Sequence, residues 1–442
     1  RQILRIPAAT VMTFGPAGIT QREYWRPDPK KRLAFTSDEE CAEAFQDVFS
    51  AAVASRLRTA EPPIALLSGG LDSSAIVGMA SRIGTGTNQA LHTLSIVPEP
   101  SAQGLVADER DWIDLFRGQT DLHMTDVSAN GAGPFDHQEE LVRSGSLCTY
   151  GFQHFMYTAL ARAARQNGSR VLLDGYGGEL TASVYTEGYP AELALHGRFR
   201  QMISELRHLN PEQRISARGF KTQILRPIVP QGLLKLRNRS KVHRQTPSYP
   251  LRPEYLHDIL GRETADIGDR IARLQHPAPD HRKNMARQIL LARSDARQRS
   301  HAGFIGYETV SFTYPYLDRR VMEFSLAVDG RFKRLDGQSR RLIRLGTRGL
   351  MPDAVRKRTS KAPFCPDYHL RYSRQKDRAR ELFRGMASVP GIAQIIDFDA
   401  VFSALDREPR YSRQNPMGVD TDAQFLVPYA LYLCYFLTQF NG

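Results

Sequence analysis

Two glycine-rich stretches in this sequence each carry a carboxylate close to their glycines. They are Ser68-Gly69-Gly70-Leu71-Asp72-Ser73-Ser74 and Asp174-Gly175-Tyr176-Gly177-Gly178-Glu179. Paired glycines let backbone amides approach an anion with no Cβ in the way. A helix that starts behind them aims its positive end and its unpaired N–H groups at that anion. Ser68, Ser73 and Ser74 add hydroxyl donors. Phosphate held there would lie against the Asp72 carboxylate, and two anions in contact need a divalent cation between them, so magnesium is the expected ion. No lysine follows the glycines as in a GxxxxGK[ST] loop, which sets this stretch apart from that design. A tight turn ahead of a helix is the structural alternative.

Both stretches need elements that aim them at one place. Ile64-Ala65-Leu66-Leu67 precedes the first and Arg170-Val171-Leu172-Leu173 the second, each a short apolar run that reads as a strand. A helical pattern follows the first loop through Ala80. Further strands are expected over Leu91 to Val97 and Leu122 to Val127, with helices over Asp108 to Arg117 and Phe152 to Gln166. Ser37 caps a helix whose first turn is Asp38, Glu39 and Glu40, and which runs to about Leu57 with Phe45, Val48, Phe49, Ala52 and Val53 on one face. Strand and helix in alternation imply an α/β fold, a doubly wound parallel sheet. Such sheets bind ligands at the carboxyl ends of their strands, where both loops fall. Residues 1–35 read as strands and turns, with a strand over Gln2 to Thr13. From about Ala191 the pattern is mostly helical elaboration, with a proline-rich linker at Pro227, Pro230, Pro247, Pro250 and Pro253. Helices resume over Gly261 to Leu274 and His281 to Ala302.

The first loop resembles the pyrophosphate-binding loop of ATP pyrophosphatases, specifically that of the asparagine synthetase family. Tyr24-Trp25-Arg26-Pro27, Leu66-Leu67, His92-Thr93-Leu94-Ser95-Ile96 and Tyr314-Pro315-Tyr316-Leu317-Asp318 are similar to that family's synthetase domain, the last to its PFLD segment. The resemblance implies an adenine nucleotide alpha-hydrolase-like sheet and an ATP-dependent ligase that joins a carboxylate to an amine and releases AMP and pyrophosphate. It implies that Leu67, Ile96, Asp174 and Gly175 hold adenosine. The second loop resembles the family's GxGxDE segment with Glu179 where the family has Asp, which makes Asp72 and Glu179 the expected magnesium ligands. A helix N-terminal acid is the structural alternative for Glu179.

Arg358-Thr359-Ser360-Lys361-Ala362-Pro363-Phe364 resembles the family's late motif with its catalytic lysine. Adenylation builds negative charge on the bridging and pyrophosphate oxygens, and a fixed cation stabilises it. Amine attack on the acyl-adenylate creates an oxyanion with the same need. Lys361 is expected to serve both steps, with Arg358 and Lys357 on pyrophosphate; an exposed basic turn is the alternative. The family's glutamate ahead of PFLD is replaced by Ser311, which cannot act as a carboxylate base, leaving Glu308, Tyr307 and Tyr314 as candidates.

Composition bounds the partners. The chain has 442 residues, a net charge of +13, 41% hydrophobic and 24% charged residues, ordinary for a globular protein of more than one domain. No apolar run reaches the ~18 residues a membrane span needs; Phe425 to Phe440 is broken by Pro428 and Gln439 and reads as a buried helix. Cys41, Cys148, Cys365 and Cys434 lack CxxC spacing, which points to inert thiols in a reducing, cytoplasmic setting. Arg198 to Arg244 holds twelve Lys or Arg against two Glu. That stretch is a solvated face or a site for an acidic partner, and no nucleic-acid motif accompanies it.

Arg1-Gln2-Ile3-Leu4-Arg5 has no apolar core behind its basic start, so no signal peptide is expected, and the sequence as given does not start with a cysteine nucleophile. Residues 1–35 are read as the remnant of an N-terminal glutaminase-like domain. Residues 36–442 are read as the synthetase domain, with a basic helical insert at about 190–300. Relatives that take their amine from the substrate include β-lactam synthetase and the lasso peptide macrolactam cyclase. Glu179, Ser311 and the basic insert tilt the resemblance to the cyclase, as do Glu187-Gly188-Tyr189 and Glu192-Leu193-Ala194. The expected partners are a peptide or amino-acid carboxylate and a leader-peptide-binding or protease partner protein, with no nucleic acid and no membrane. Glutamine-hydrolysing asparagine synthetase and a degenerate nucleotide-binding regulator are the alternatives.

Overall fold

The computed structural model describes residues 6–84, 90–119, 121–145, 153–186, 188–208, 220–229, 249–255, 278–292, 310–360, 362–409 and 422–439. Its centre is a five-stranded, all-parallel sheet. In chain order the strands are β3 (Ile64–Leu66), β4 (Leu91–Ile96), β5 (Leu122–Val127), β6 (Val171–Leu173) and β7 (Ser311–Thr313), and across the sheet they run β5-β4-β3-β6-β7. β3 pairs with β4 through Ile64↔His92 and with β6 through Ile64↔Leu172. The order reverses between β3 and β6, so the crevice at their carboxyl ends is the sheet's switch point. The α/β, doubly wound class is as the sequence predicts.

Helix α1 (Asp38–Leu57) begins as its cap residues dictate. Ser37 Oγ accepts from Glu40 N at 3.1 Å, and Glu40 Oε2 accepts from Thr36 N at 2.7 Å. Its apolar face buries Phe45, Phe49, Ala52 and Val53. Phe49 stacks on Phe45 at 5.5 Å and on Tyr316 at 5.1 Å, so α1 grips the segment that leads from β7. Burying each such ring is worth about 1.5–3 kcal/mol. Helix α2 (Leu71–Gly84) follows β3, with Ala75, Ile76, Val77 and Met79 in the same core. A second apolar cluster joins helices Tyr368–Ala387, Phe398–Asp406 and Val427–Thr438 through Tyr372, Phe383, Val401 and Leu431. The C-terminal apolar run is the buried helix expected of it. No described helix is long and apolar enough to cross a membrane. Cys41, Cys365 and Cys434 are buried free thiols; Cys148 lies outside the described residues.

Two expectations change, and one strand was not expected. Of the strand expected over Gln2 to Thr13, residues 2–5 lie outside the described residues, and the described strand, β1 (Thr10–Gly15), starts only at Thr10, because Pro7 lacks an N–H and Ala9 is left-handed at φ +53°. It pairs with β2 (Gly18–Glu23) in a hairpin. Asp108 to Arg117 is not one helix but a turn, Arg110–Ile113, followed by a 3₁₀ turn, Asp114–Phe116. Glu109 points inward to Arg358 and Trp112 lies on Gly69, which bends the segment around the first loop. The helix begun at His281 is described to Ala292, while Gly261 to Leu274 lies outside the described residues. β7 is the missed element: three residues are too few for a period, and they sit in a half otherwise helical.

Candidate functional site

The first loop is folded back on α2. Ser68 N donates to Ser73 Oγ at 3.1 Å, and the Ser68 and Ser73 hydroxyls meet at 2.8 Å. Gly69 adopts φ +66°, and a Cβ there would lie 2.6 Å from Trp112 Cβ. Ser74 is fully buried and its Oγ has no hydrogen-bond partner among the described residues. Of the three serines, Ser68 alone is exposed, and Ser73 orders it.

The second loop touches the first. Asp174 N donates to Thr313 O at 2.9 Å, and Asp174 Oδ1 accepts from Tyr176 N at 3.0 Å, an Asx turn. A Cβ on Gly175 would lie 2.9 Å from Ser73 N, and one on Gly178 would lie 2.4 Å from Asp72 Oδ1. The glycines are therefore what let the loops meet. Leu67 follows β3, Ile96 ends β4 and Asp174 follows β6, so the residues expected around adenosine lie at three adjacent strand ends.

Asp72 lies in the first turn of α2, where the helix dipole favours an anion. Its Oδ2 accepts from Arg340 Nη2 at 2.5 Å, and its main-chain oxygen accepts from the Tyr316 hydroxyl at 3.0 Å. Its Oδ1 is buried with no hydrogen-bond partner among the described residues. A hard, unpartnered carboxylate oxygen beside an anion-binding loop suits magnesium. Glu179 is exposed on the 3₁₀ turn Gly178–Leu180. Burial first, then the Asp72 charge, pushes the Tyr316 phenol well above its ordinary range; Glu179 adds to this and Arg340 opposes it. Among the described residues no three His, Cys, Asp or Glu side chains converge. Asp72 Oδ1 is the described oxygen that fits a magnesium ion; for Glu179, the other expected ligand, only an exposed position on the second loop is described.

The basic segment docks onto the same loop. Arg358 Nη1 donates to Gly69 O at 3.0 Å, and its guanidinium forms a bidentate pair with Glu109, with Nη2–Oε1 at 2.5 Å. Nε donates to Ser360 Oγ at 3.2 Å, and the guanidinium lies 4.5 Å over the Trp112 ring. Every nitrogen of Arg358 is engaged by Gly69, Glu109 or Ser360, so in this arrangement it acts as a strut. Lys357 is exposed and paired with Asp353 at 2.9 Å. Glu109 Oε1 also accepts from Ala362 N at 2.8 Å. Both neighbours of Lys361 are therefore tethered, while Lys361 itself, like Glu308 and Tyr307, lies outside the described residues.

Sequence reasoning missed Arg340, Glu109 and Trp112. Glu109 reads as a helix N-terminal acid within Asp108-Glu109-Arg110-Asp111. Arg340 is hidden in the run Arg340-Arg341-Leu342-Ile343-Arg344. Arg340 has φ +56°, which costs a non-glycine residue about 1–2 kcal/mol. It caps the helix Arg341–Gly346, whose Arg344 donates to the main-chain oxygens of Arg356 and, at 2.7 Å, Arg358.

A comparison with curated proteins gave no match. The sequence matches the asparagine synthase family over residues 44–421, which takes in the sheet from β3 to β7, both glycine loops and the Arg358 segment. The chain belongs to the asparagine synthase family, whose members are ATP-dependent ligases that form amide bonds.

Proposed function

We propose that the chain adenylates a carboxylate and then passes the acyl group to an amine. The carboxylate oxygen attacks the α-phosphorus of ATP, the bond to the β-bridging oxygen breaks, and pyrophosphate leaves. The amine nitrogen then attacks the acyl carbon and loses its proton, and AMP departs with the carboxylate oxygen. The observation that carries this reading is the contact of the two glycine loops at Asp72, at the switch point of the sheet. The α2 amides and Ser68 bind phosphate there. Asp72 and Glu179 would hold magnesium, which when bound neutralises charge on the departing phosphates. Lys361 supplies the fixed cation for both steps. The tethers at Ser360 and Ala362 support that role.

The acceptor amine is the substrate's own. Ser311 at the start of β7 has no carboxylate, and the first one after it is Asp318. Asp318 is committed: its hydrogen bond from Arg320 holds its carboxyl well below the usual range against the opposing effect of burial, and Arg56 at 2.9 Å adds to this. Glu308, outside the described residues, is then the carboxylate left to take the amine's proton, and this altered base favours an altered acceptor, with macrolactam closure of a ribosomal peptide as the reaction. An internal Asp or Glu side chain is activated and the N-terminal amine attacks it, as in lasso peptide cyclases. A leader-peptide-binding or protease partner would deliver that peptide, in the cytoplasm. One observation favours asparagine synthesis instead: every residue of β2 is exposed, which suits the remnant of a glutaminase-like domain over residues 1–35.

The discriminating experiment incubates the chain with magnesium, ATP and one of two substrate sets. One is a peptide with a free N-terminus and an internal Asp or Glu; the other is aspartate with ammonia. Peptide-dependent AMP release with loss of one water from the peptide is expected. AMP release that needs aspartate and ammonia would replace the cyclase reading. ADP as the spent nucleotide would end the adenylation reading altogether.

A further inference from the structure

We propose that Arg340 is an exchange cation: it neutralises Asp72 until nucleotide arrives, then surrenders that carboxylate to the metal and turns its guanidinium onto the departing pyrophosphate. This rests on the adenylation reading above. Three observations carry it. The ion pair is placed where the two glycine loops touch, at the switch point of the sheet, and not in the surrounding core. It is under-bonded on both sides. Asp72 Oδ1 and Arg340 Nε are each buried with no hydrogen-bond partner among the described residues. Such atoms occur in other buried pairs as well, Arg371 and Glu99 among them, but here the unpartnered carboxylate oxygen lies beside an anion-binding loop, which leaves Asp72 an acceptor for a cation and Arg340 a donor for an anion. Finally, Arg340 holds a left-handed backbone at φ +56°, conformational strain of a kind that persists where the surrounding structure enforces it and that clusters at ligand clamps.

The chemistry of the exchange is balanced in charge. Before nucleotide binds, a lone Asp72 anion at the mouth of α2 would repel the incoming phosphates; Arg340 cancels it. Once a divalent ion takes Asp72, the guanidinium has a planar fork of donors to offer, and a diphosphate matches that fork. The Tyr185 ring, 5.8 Å from Arg340 Cζ and more than half exposed, flanks the guanidinium on the solvent side. The same helix carries Arg344, so the Arg356–Arg358 backbone is fixed relative to the pivot.

The test compares the full chain with Arg340→Met, using manganese(II) alone as one probe and magnesium pyrophosphate as the other, both by calorimetry. Exchange predicts opposite movements: manganese binds the variant about tenfold tighter, because its competitor for Asp72 is gone, while pyrophosphate binds about tenfold weaker. A residue that only props up Asp72 would weaken both. Unchanged pyrophosphate binding, or weaker manganese binding, overturns the exchange. If Arg340→Met does not unfold cooperatively, Arg340→Lys carries the test; a point charge in place of the fork should give pyrophosphate affinity between the two, and wild-type affinity overturns the proposal. A wild-type chain that binds neither magnesium ATP nor pyrophosphate would overturn the adenylation reading with it, whereas wild-type binding with no change in the variants overturns the exchange alone.

Discussion

Arg371 and Arg340 are both arginines drawn into the protein by aspartates, and their surroundings differ. Arg371 is fully buried. It donates to Ala132 O at 2.6 Å, Ser128 O at 2.8 Å and Asp367 Oδ2 at 2.8 Å, and it pairs with Glu99 at 2.7 Å. Glu99 N in turn donates to Asp367 at 3.1 Å. Among the described residues Arg340 has a single hydrogen-bond acceptor, Asp72. The first arrangement spends its donors on holding helix Tyr368–Ala387 to the loops after β4 and β5. The second keeps donors and an acceptor oxygen in reserve at the strand ends. Each cluster keeps a buried arginine Nε and a carboxylate oxygen without a hydrogen-bond partner among the described residues, so place and number of contacts separate them: Arg371 is held by four groups within the packed core, whereas Arg340 is held by one carboxylate where the glycine loops meet.

The sharpest break of that contrast is at Lys361 and Asp72. Lys361→Ala and Asp72→Asn should each lower AMP formation by roughly 10³-fold or more while thermal unfolding stays near wild type. ATP affinity should survive in Lys361→Ala; unchanged turnover there would remove the lysine from the mechanism. Arg371→Met should do the reverse, costing about 3–5 kcal/mol in a denaturant titration because Asp367 and Glu99 lose their counter-charge, with turnover per folded molecule unaltered. Glu109→Gln falls between. It loosens Arg358 and the Ala362 amide together, so kcat should drop about 10–100-fold with little change in the KM for ATP, and equal loss in both parameters would refute a positioning role.

The smallest effect is expected at Lys333, whose amine is fully buried against Met285 Sδ and Leu326 O, each 3.4 Å away. Burial, reinforced by the Arg282 charge, holds this ammonium well below its ordinary value of 10.5. The unfolded chain therefore binds the proton more readily, and stability falls as pH drops from 10.5 toward the lowered value. Lys333→Met should gain roughly 1–3 kcal/mol at neutral pH, and the gain should shrink as pH approaches 10. A gain independent of pH would show the lysine to be charged in place.

The sheet was legible because β3, β4, β5 and β6 are continuous apolar or alternating runs followed by turns, and α1 announces itself through Ser37 and its acidic first turn. The glycine loops were legible for a related reason: a backbone that must pass close to another needs residues without Cβ, and few other causes leave the same spacing. What was not legible is long-range. Glu109 and Arg358 are 249 positions apart, Asp72 and Arg340 are 268 apart, and no local pattern reports such a pair. β7 escaped because its pairing with β6, not its own three residues, makes it a strand.

Gly178 and Glu179 are adjacent, yet they face opposite constraints. A methyl group at 178 would collide with Asp72 Oδ1, whereas residue 179 is exposed. A library randomised along this loop should therefore split at that boundary, with inactive clones on one side and altered metal preference or substrate choice on the other.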